Sequence, residues 1–468
     1  MAVYPAESMQ ARIGIMAGIS KNGASIFIIF AVLSFAIRLY PLSRPGAAWA
    51  IVPDSIGYNS LAKGIKAGCG FAPLWRDNRC GPPELERTPG YPFFLVILST
   101  PRAALIAQAI LGALSAVLVG SFAWWQWGLT AGLIAEFIAG FEVSSFIAGS
   151  VIQSDTLFTS IVIFAILLKL VLICRKSVDF RTIAGLIAVG LLFAIAALVR
   201  PIGQVLLLVP GFGALGLNKV SLSKRIMLCL LGVAIPLSTI LGWSYRNYRQ
   251  RGAWTFSSIS AVNLYYFSAA EVLARETGQP SAQIKTAFLS ATGRNSNAVD
   301  LWSETFDEDP GEMTARAMKV LRRHPLIVAY MTFSSFARLC IMPAYRDEVS
   351  SFLGHQPSRT ETDALLSRDI LSSLRTTLSF PWLIGIRFLL TFQLILLVFT
   401  WVGIGMVLWR IRRTPASTAR LIVIPLSAAL LLLVATATDP GLVDRYRVPA
   451  MPMLALITAF GWTTSNMF

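Results

Sequence analysis

Residues 155–174 read DTLFTSIVIFAILLKLVLIC, a nearly continuous apolar run that begins with an aspartate. A run of about 20 apolar residues is long enough for a helix to cross the hydrocarbon core of a bilayer. Of the 468 residues in the chain, 55% are hydrophobic and only 14% are charged. Because a soluble domain has about 25% charged residues, this composition predicts a polytopic membrane protein. It excludes a disordered polymer, a nucleic-acid-binding domain and a disulfide-stapled secreted module.

Similar apolar runs recur on both sides of this segment. They predict an all-α membrane protein with about ten transmembrane helices, at residues 22–40, 102–123, 130–150, 155–174, 182–199, 202–217, 226–243, 383–409, 421–438 and 449–465. The segment 325–343 is also apolar but contains Arg338. A span there would turn the basic loop after residue 409 outward, so we expect an interfacial helix on the outer leaflet instead.

Basic residues are divided unequally between the two sides of the predicted bundle. If the N-terminus is cytoplasmic, the inner segments hold twelve Lys and Arg residues and the short outer loops hold three. The inner residues are Arg12, Lys21, Arg175, Lys176, Arg181, Lys219, Lys224, Arg225, Arg410, Arg412, Arg413 and Arg420, and the outer ones are Arg200, Arg445 and Arg447. Because cytoplasmic loops carry the excess of positive charge, this division predicts the orientation. It also accounts for most of the net charge of +16 without nucleic acid as a partner.

This orientation places two long segments outside the membrane and divides the chain into three parts. Residues 1–243 form an N-terminal transmembrane module with a first outer loop at about 41–101. Residues 244–382 form an outer-face domain, and residues 383–468 form the C-terminal transmembrane helices. The segment 244–382 interleaves 15 basic and 13 acidic residues with aromatic ones, which is typical of a small folded unit with interfacial helices resting on a membrane.

Two cysteines share the first outer loop. Cys69 and Cys80 lie in GCGFAPLWRDNRC, and an oxidising outer compartment favours a disulfide between them; two free thiols are the alternative. The chain has only two histidines, His324 and His355, and neither belongs to a cluster of metal ligands. We therefore expect no zinc site.

Two carboxylates lie at the predicted outer boundary of the membrane, each beside an apolar segment. Asp54 follows the first span and precedes an amphipathic stretch, and Asp155 lies at the mouth of the fourth span. An ionisable residue at the entrance of a span indicates a functional site, although either aspartate could instead stabilise a helix N-terminus. Glu136 and Glu142 fall within the third span, where we expect a polar partner inside the bundle and no catalytic role.

Several arginines are predicted on the same outer side. They are Arg87, Arg200, Arg246, Arg445 and Arg447. Arginine binds phosphate through two parallel hydrogen bonds, so a group of arginines at the outer face predicts a site for a lipid phosphate. The alternative is that single arginines only anchor the protein to lipid headgroups.

The order of several short motifs resembles a known family. An acidic residue just after the first span is followed by RTPGYPFFLVIL at 87–98, SDTLF at 154–158, ALVRP at 197–201 and DRYRVPAMPMLAL at 444–456. This order, from about residue 22 to 465, resembles GT-C-fold glycosyltransferases. It is most similar to the group of dolichyl-phosphate-mannose protein mannosyltransferases and bacterial aminoarabinose transferases. Many relatives have Asp-Glu in the first loop where this chain has Asp54-Ser55, and this departure leaves the acceptor open.

The resemblance implies a glycosyltransferase of the plasma (inner) membrane with its active site at the periplasmic or outer face. The donor would be a polyprenyl-phosphate sugar, and the acceptor would be a glycan, a lipid or a protein. Membrane lipids would surround the protein. Asp54 would be the catalytic base, with Asp155 as a second catalytic residue and the five arginines as donor phosphate ligands. Tyr58, Tyr91, Asn263 and Tyr446 would line the substrate pocket.

A single displacement with Asp54 as general base predicts inversion at the anomeric carbon, whereas a carboxylate nucleophile would give retention. The charge of the departing monophosphate would be stabilised by arginines, so we expect no cofactor and no metal requirement; a divalent metal is the alternative. Three other classes stay open. They are a transporter or flippase of a lipid-linked or small solute, a glycan polymerase or ligase using a diphosphate-linked donor, and a membrane scaffold. A transporter usually binds its substrate near the bilayer midplane, which differs from the boundary position of these acids.

Overall fold

The computed structural model describes residues 21–43, 51–174, 179–210, 221–291, 309–342, 346–354, 381–437 and 445–463. Within these ranges the protein is built from helices and contains no strand, apart from one isolated bridge between Leu74 and Cys80. The all-α membrane architecture predicted from the apolar runs is therefore confirmed.

In the described part of the chain, seven helices are long and apolar enough to cross a membrane. They are α1 (Lys21–Leu39, continued by a 3₁₀ turn at Tyr40–Ser43), α4 (Pro101–Trp127), α7 (Asp155–Ile173), α8 (Phe180–Val199), α9 (Leu222–Arg251), α16 (Pro381–Arg410) and α17 (Ala416–Thr436). The remaining helices in the first half are α2 (Pro53–Lys66), α3 (Gly90–Leu98), α5 (Leu129–Phe141) and α6 (Val143–Gly149). The chain is thus a multi-pass membrane protein.

The third predicted span is broken in its middle. Helices α5 and α6 are bent by 54° at Glu142, and the pair adds an eighth span if the two helices cross the membrane as one. The Glu142 side chain accepts a hydrogen bond of 2.6 Å from the Ser145 backbone N–H and so caps α6. On the other side of the break, Arg38 of α1 donates a hydrogen bond of 2.8 Å to the carbonyl oxygen of Gly140. Backbone groups exposed by a bend must find partners inside a membrane protein, and these two side chains supply them.

Two of the ten predicted spans differ from the structure. The segment 202–217 begins as a 3₁₀ helix at Pro201–Leu206, and residues 211–220 lie outside the described residues. The 3₁₀ helix follows directly after α8 and begins with Pro201. Proline has no N–H to donate to a helical hydrogen bond. The segment 449–465 contains α18 (Met451–Thr463), which has 13 described residues, and residues 464–468 lie outside the described residues.

Helix α18 is enclosed by other helices. Every residue from Met451 to Gly461 is buried, and α18 packs against α4, α5, α16 and α17. Gly461 lies directly against the carbonyl oxygen of Gly403 in α16, where a side-chain carbon would collide with the backbone. Small residues allow such close approach of helices in membranes. The helix is thus at the centre of the bundle.

The first outer loop contains α2 and α3 and a disulfide. The structure joins Cys69 to Cys80 through their sulfur atoms, with 5.5 Å between the two Cα atoms. The Phe71 and Glu84 carbonyl oxygens accept hydrogen bonds of 3.2 Å and 2.7 Å from Arg246 near the outer end of α9. These bonds tie the loop to the bundle.

The segment 244–382 adds a group of shorter helices with its own apolar core. They are α10 (Ile259–Val262), a π-helix (Asn263–Ala269), α11 (Ala270–Thr277), α12 (Ser281–Ala291), α13 (Pro310–Arg323), α14 (Pro325–Ile341) and α15 (Arg346–Leu353). Tyr265 of the π-helix stacks on Phe288 of α12, with ring centroids 4.5 Å apart, and Met313 and Ala317 of α13 are buried beside them. The apolar segment predicted to lie on the membrane is α14, which packs against α16 and α17; the Trp401 indole of α16 donates a 2.6 Å hydrogen bond to the Cys340 carbonyl oxygen.

Candidate active site

A cavity of about 550 Å³ lies where the first outer loop, the helix ends and the outer domain meet. It is lined by Pro53, Asp54, Tyr58, Glu86, Arg87, Arg200, Pro201, Ile202, Gln204, Val205, Ile259, Ser260, Asn263, Leu264, Ser268, Ala435, Thr436, Arg445 and Tyr446. Residues far apart in the sequence therefore share one cavity. They come from α2, the 3₁₀ turn after α8, the π-helix, the end of α17 and the 3₁₀ turn Arg445–Arg447.

Asp54 is held at the cavity by its neighbours in the first turn of α2. Pro53 begins the helix after Val52, and proline is favoured at this position because its fixed φ suits a helix start. The Ser55 hydroxyl donates a 2.6 Å hydrogen bond to the Ile152 carbonyl oxygen, which fixes α2 beside the bundle. The Asp54 carboxylate forms an ion pair of 2.5 Å with Arg445. The carboxylate thus has a specific partner across the cavity, beyond any effect on the helix dipole.

Asp155 links two arginines of the cavity. The side chain has no exposed surface, and its carboxylate forms an ion pair with Arg200 and a second one, at 3.3 Å, with the Nε of Arg445. Asp155 does not line the cavity, whereas both arginines do. The sequence predicts a catalytic role for Asp155, but the structure places its carboxylate behind the arginines. Because a group without exposed surface does not reach a substrate, this geometry favours a positioning role for Asp155.

Tyr58 and Arg87 form another part of the wall. The Tyr58 hydroxyl lies 3.0 Å from the Ser154 hydroxyl, so Ser154 bonds across to α2 and its side chain does not cap α7. The Arg87 guanidinium lies 5.7 Å from the centre of the Tyr58 ring and 3.7 Å from the Glu86 carboxylate. An arginine over an aromatic face is attracted by the ring quadrupole. Arg87 is thereby held towards the cavity.

The charges around Asp54 determine its protonation. Burial alone would raise the pKa of the Asp54 carboxyl, but the positive charges of Arg445, Arg87 and Arg200 and the Arg445 hydrogen bond hold it below its ordinary value. Burial and the nearby Asp54 charge raise the pKa of the Tyr58 hydroxyl. Asp54 is therefore ionised and Tyr58 is neutral at neutral pH.

Arg447 is not placed at the cavity. It is 1% exposed, and its guanidinium forms an ion pair of 3.1 Å with Glu142 and donates 3.0 Å to the Ser144 hydroxyl. It also donates to the carbonyl oxygens of Leu339 and Met342 at the end of α14. The sequence predicts that Arg447 binds the donor phosphate, but the structure uses its charge and hydrogen bonds within the bundle.

Two other predicted site residues also lie outside the cavity lining. Arg246 binds backbone carbonyl oxygens of the first outer loop, as described above, and lies 5.0 Å from the Trp243 ring. The Tyr91 hydroxyl donates 2.6 Å to Gln108, whose amide binds the Val151 carbonyl oxygen at 2.8 Å. The structure thus gives Arg246 and Tyr91 supporting positions behind the wall. By contrast, the structure brings five other predicted site residues together in the cavity lining. They are Arg87, Arg200, Asn263, Arg445 and Tyr446.

The two glutamates of the third span differ from each other. Glu142 has the polar partners expected, since it binds Arg447 and accepts a 2.6 Å hydrogen bond from Gln393 of α16. Glu136 is buried, and within the described part of the chain neither of its carboxylate oxygens has a hydrogen-bond partner. The expectation of a polar partner therefore fails for Glu136.

Several cavity residues were missed by the sequence reasoning. They are Glu86, Gln204, Ser260, Ser268 and Thr436. Two of these carry a usable signal, because Glu86 directly precedes Arg87 and Gln204 is a polar residue in an apolar run that begins beside Arg200. The serines and the threonine are small polar residues that occur throughout the chain, so nothing local distinguishes them.

The described residues of the cavity pair their carboxylates with arginines. Among the described residues, no group of three or more His, Cys, Asp or Glu side chains is placed to hold one. The guanidinium of Arg445 contacts both Asp54 and Asp155 and already supplies a positive charge between the two carboxylates. The glycosyl transfer proposed for this site uses no metal ion.

Comparisons with solved structures show that the chain shares a known fold. No family model matches the sequence, and no curated protein is significantly similar to it. The structure of archaeal oligosaccharyltransferase AglB from Archaeoglobus fulgidus, in complex with an inhibitory peptide and a dolichol-phosphate, has a TM-score of 0.50 at 14% identity. The match covers 96% of this chain and 51% of that one. The same organism's oligosaccharyltransferase in complex with Zn and sulfate has a TM-score of 0.50 at 12% identity, covering 94% and 49%.

A third similar structure is ArnT from Cupriavidus metallidurans bound to undecaprenyl phosphate. Its TM-score is 0.38 at 14% identity, over 95% of this chain and 78% of that one. The chain spans about half the length of the oligosaccharyltransferases it matches. Similarity at these identities speaks for architecture, and it agrees with the resemblance seen in the sequence motifs. The chain has the all-α GT-C-like fold of membrane glycosyltransferases.

Proposed function

We propose that the chain is a membrane glycosyltransferase that moves a sugar from a polyprenyl-phosphate donor to an acceptor hydroxyl. The observation that carries this proposal is the single cavity in which Asp54, Arg87, Arg200 and Arg445 converge. A carboxylate suits proton abstraction, and arginines suit phosphate. The shared fold supports the proposal, since AglB was solved with a dolichol-phosphate. The acceptor is a glycan, lipid or protein, and the sugar is a hexose or a pentose.

The donor's two chemical parts match two parts of the cavity wall. The phosphate is bound by Arg200 and Arg445, with Arg87 nearby. The first isoprene units lie against the apolar side formed by Ile202, Val205 and Ala435, where the 3₁₀ helix after α8 packs on α17. The rest of the lipid chain stays in the bilayer. This arrangement keeps the sugar–phosphate bond close to Asp54 while the lipid chain remains in the bilayer.

The transfer is a single displacement. The Asp54 carboxylate accepts the proton of the acceptor hydroxyl while that oxygen forms a bond to the anomeric carbon. The bond between the anomeric carbon and the phosphate oxygen breaks, and its electron pair leaves with the polyprenyl phosphate. The arginines stabilise the charge that develops on the phosphate. Attack from the side opposite the phosphate inverts the anomeric configuration.

Donor binding also changes the basicity of the Asp54 carboxylate. Asp54 is held as a weak base by Arg445, at 2.5 Å. A donor phosphate that engages the Arg445 guanidinium competes with Asp54 for it. The pKa of the Asp54 carboxyl then moves up towards its ordinary value, which makes it a better proton acceptor once the donor is bound. Asp155 keeps Arg200 and Arg445 in place during this exchange.

The test compares envelope glycans and polyprenyl-phosphate sugars by mass spectrometry. The cells carry the wild-type protein, no protein, Asp54→Asn or Asp77→Asn at matched expression. Asp77 is the matched control, because it is an exposed aspartate of the same loop that also pairs with an arginine, Arg79. We expect Asp54→Asn to lower transfer by about 10²–10⁴-fold, so that one sugar disappears from a glycan while its lipid donor accumulates, as in the deletion.

The alternatives give different results. If Asp54→Asn cells match the wild type while the deletion loses a sugar, Asp54 is not the base. If no glycan changes in either strain, a transporter explains the fold and the cavity better than an enzyme does.

A further inference from the structure

A π-helix forms one wall of the cavity. Residues Asn263–Ala269 adopt this conformation, which is rare and often marks functional sites. Its hydrogen bonds join residues five apart, so Asn263 and Ser268 lie on the same face. Both line the cavity, together with Ser260 of α10 and the apolar side chains of Ile259 and Leu264. An ordinary α-helix would turn Ser268 away from Asn263, because residues five apart diverge by more than a quarter of a turn at about 3.6 residues per turn.

This wall is fixed on both sides. Behind it, Tyr265 and Tyr266 are buried in the core of the outer domain. Before it, the Ser258 backbone N–H donates a 2.9 Å hydrogen bond to the Leu85 carbonyl oxygen, and the Ser257 hydroxyl donates to the Glu86 carbonyl oxygen. The polar face is therefore held in a defined position relative to the loop that contains Arg87.

The wall is polar but uncharged. Its side chains that line the cavity are Ile259, Ser260, Asn263, Leu264 and Ser268. The carboxylates elsewhere in the cavity already face arginines, Asp54 at 2.5 Å from Arg445 and Glu86 at 3.7 Å from Arg87. A cationic sugar would meet no unengaged acid at this wall, and an anionic sugar would meet no base. Hydroxyl and amide groups match the hydroxyls of a neutral sugar.

We propose that Ser260, Asn263 and Ser268 form the surface that recognises the transferred sugar, and that this sugar is uncharged. The inference rests on the proposed function and adds the sugar class and the residues that select it. Asp54 and the three arginines of the cavity act on the reacting atoms, and Asp155 positions Arg200 and Arg445. The π-helix face decides which sugar is presented to them.

The test measures binding without turnover. The full-length Asp54→Asn protein in lipid nanodiscs is titrated with farnesyl phosphate and with farnesyl phosphate carrying glucose, galactose, mannose, arabinose, 4-amino-4-deoxyarabinose or glucuronic acid. We expect one neutral sugar to improve affinity over farnesyl phosphate by about 10-fold, as two or three neutral hydrogen bonds would. The two charged sugars should give no such gain.

The same titrations are then made with Asn263→Ala and Ser268→Ala combined. We expect the sugar-dependent gain to disappear while the affinity for farnesyl phosphate stays within about twofold, since the arginines are untouched; this unchanged affinity also shows that the protein is folded. Ser290→Ala is the control, because Ser290 is an exposed serine of the same outer domain that bonds only to its own helix at the Thr286 carbonyl oxygen.

Two failures can be told apart. If farnesyl phosphate itself does not bind, the proposed function is overturned. If farnesyl phosphate binds but the gain survives the double substitution, or a charged sugar gains most, the proposed function stands and the π-helix inference is overturned.

Discussion

Arg445 forms ion pairs with both carboxylates of the site, with Asp54 at 2.5 Å and with Asp155 at 3.3 Å. Burial raises the pKa of the Asp54 carboxyl, and Arg445 is the largest of the charges that lower it again. The ionised form of Asp54, which is the form required of the proposed base, is therefore kept as the pH falls through the ordinary range of an aspartate. Removing Arg445 leaves the effect of burial in place, so the pKa of Asp54 must rise.

The pH dependence of catalysis reports this change. We expect the wild-type kcat/KM to stay constant down to the lowest pH at which the protein remains folded. In Arg445→Ala the rate should fall by about 10²-fold or more from lost charge stabilisation, and an acid limb should appear at higher pH. Arg445→Lys, which keeps the charge, should move the limb less. An unchanged pH profile in Arg445→Ala would show that Asp54 is not the titrating base.

The same arginine leads to a prediction about metals. Because a guanidinium lies between the two carboxylates and the described residues form no metal-ligand cluster, Arg445 supplies the positive charge that a divalent cation would provide. We expect turnover by the purified protein to be unchanged by EDTA and by added Mg²⁺ or Mn²⁺. Loss of activity in EDTA that Mn²⁺ restores would mean that Arg445 moves aside for a metal when substrate binds.

At the residue scale, the sequence predicted which charged residues lie near the cavity better than it predicted their ion-pair partners. Asp54 and the arginines could be predicted because ionisable residues at span boundaries are few. The pairing of Asp54 with Arg445 joins positions 391 residues apart, and no local pattern contains it. Arg445 and Arg447 have nearly the same surroundings in the sequence, but two residues apart in a 3₁₀ turn their side chains point to different sides. One faces the cavity and the other faces Glu142.

At the element scale, the ion pair of Arg447 with Glu142 holds several helices together. Glu142 lies at the break between α5 and α6 and is also bound by Gln393 of α16, while Arg447 binds the end of α14. We expect Arg447→Ala to destabilise the protein by about 3–5 kcal/mol, because it leaves a buried carboxylate without its partner. The unfolding temperature in detergent measures this effect.

A paired substitution separates charge from packing. Combining Arg447→Met with Glu142→Gln removes both charges and should recover much of the lost stability. If Arg447→Ala leaves the unfolding temperature unchanged, the ion pair does not stabilise the bundle. Farnesyl phosphate binding should be retained by the folded double variant, because Arg447 does not line the cavity.

The helices themselves were predictable to the extent that each is an uninterrupted apolar run. Hydropathy located the seven long helices, but the bend at Glu142 depends on capping and on Arg38 from another helix. Hydropathy also predicted a span at 202–217, where the structure has a 3₁₀ helix that brings Ile202 and Gln204 to the cavity. These irregular elements were missed, although they contribute several residues to the cavity.

At the scale of the whole molecule, the site residues lie at one end of the bundle. Asp155 begins α7, Arg200 follows the end of α8, and Asp54 and Arg445 lie outside α1 and α18. Among the described residues, basic residues of the predicted inner segments lie at the opposite helix ends: Lys21 in α1, Arg181 in α8, Arg225 in α9 and Arg420 in α17. The positive-inside rule therefore predicts that the cavity opens on the outer side of the membrane, where a lipid-linked donor and an envelope acceptor can meet.

Cysteine labelling tests this orientation. Cys174 is exposed at the end of α7 opposite the site, and Gln279 is exposed in the outer domain. One protein keeps Cys174, and a second carries Gln279→Cys with Cys174→Ser; both have Cys229→Ser and Cys340→Ser. With a membrane-impermeant maleimide on spheroplasts, we expect Gln279→Cys to be labelled at once and Cys174 only after permeabilisation. Cys69 and Cys80 are joined in a disulfide and do not react. The reverse pattern would turn the cavity towards the cytoplasm, so that the donor and acceptor would have to be cytoplasmic as well.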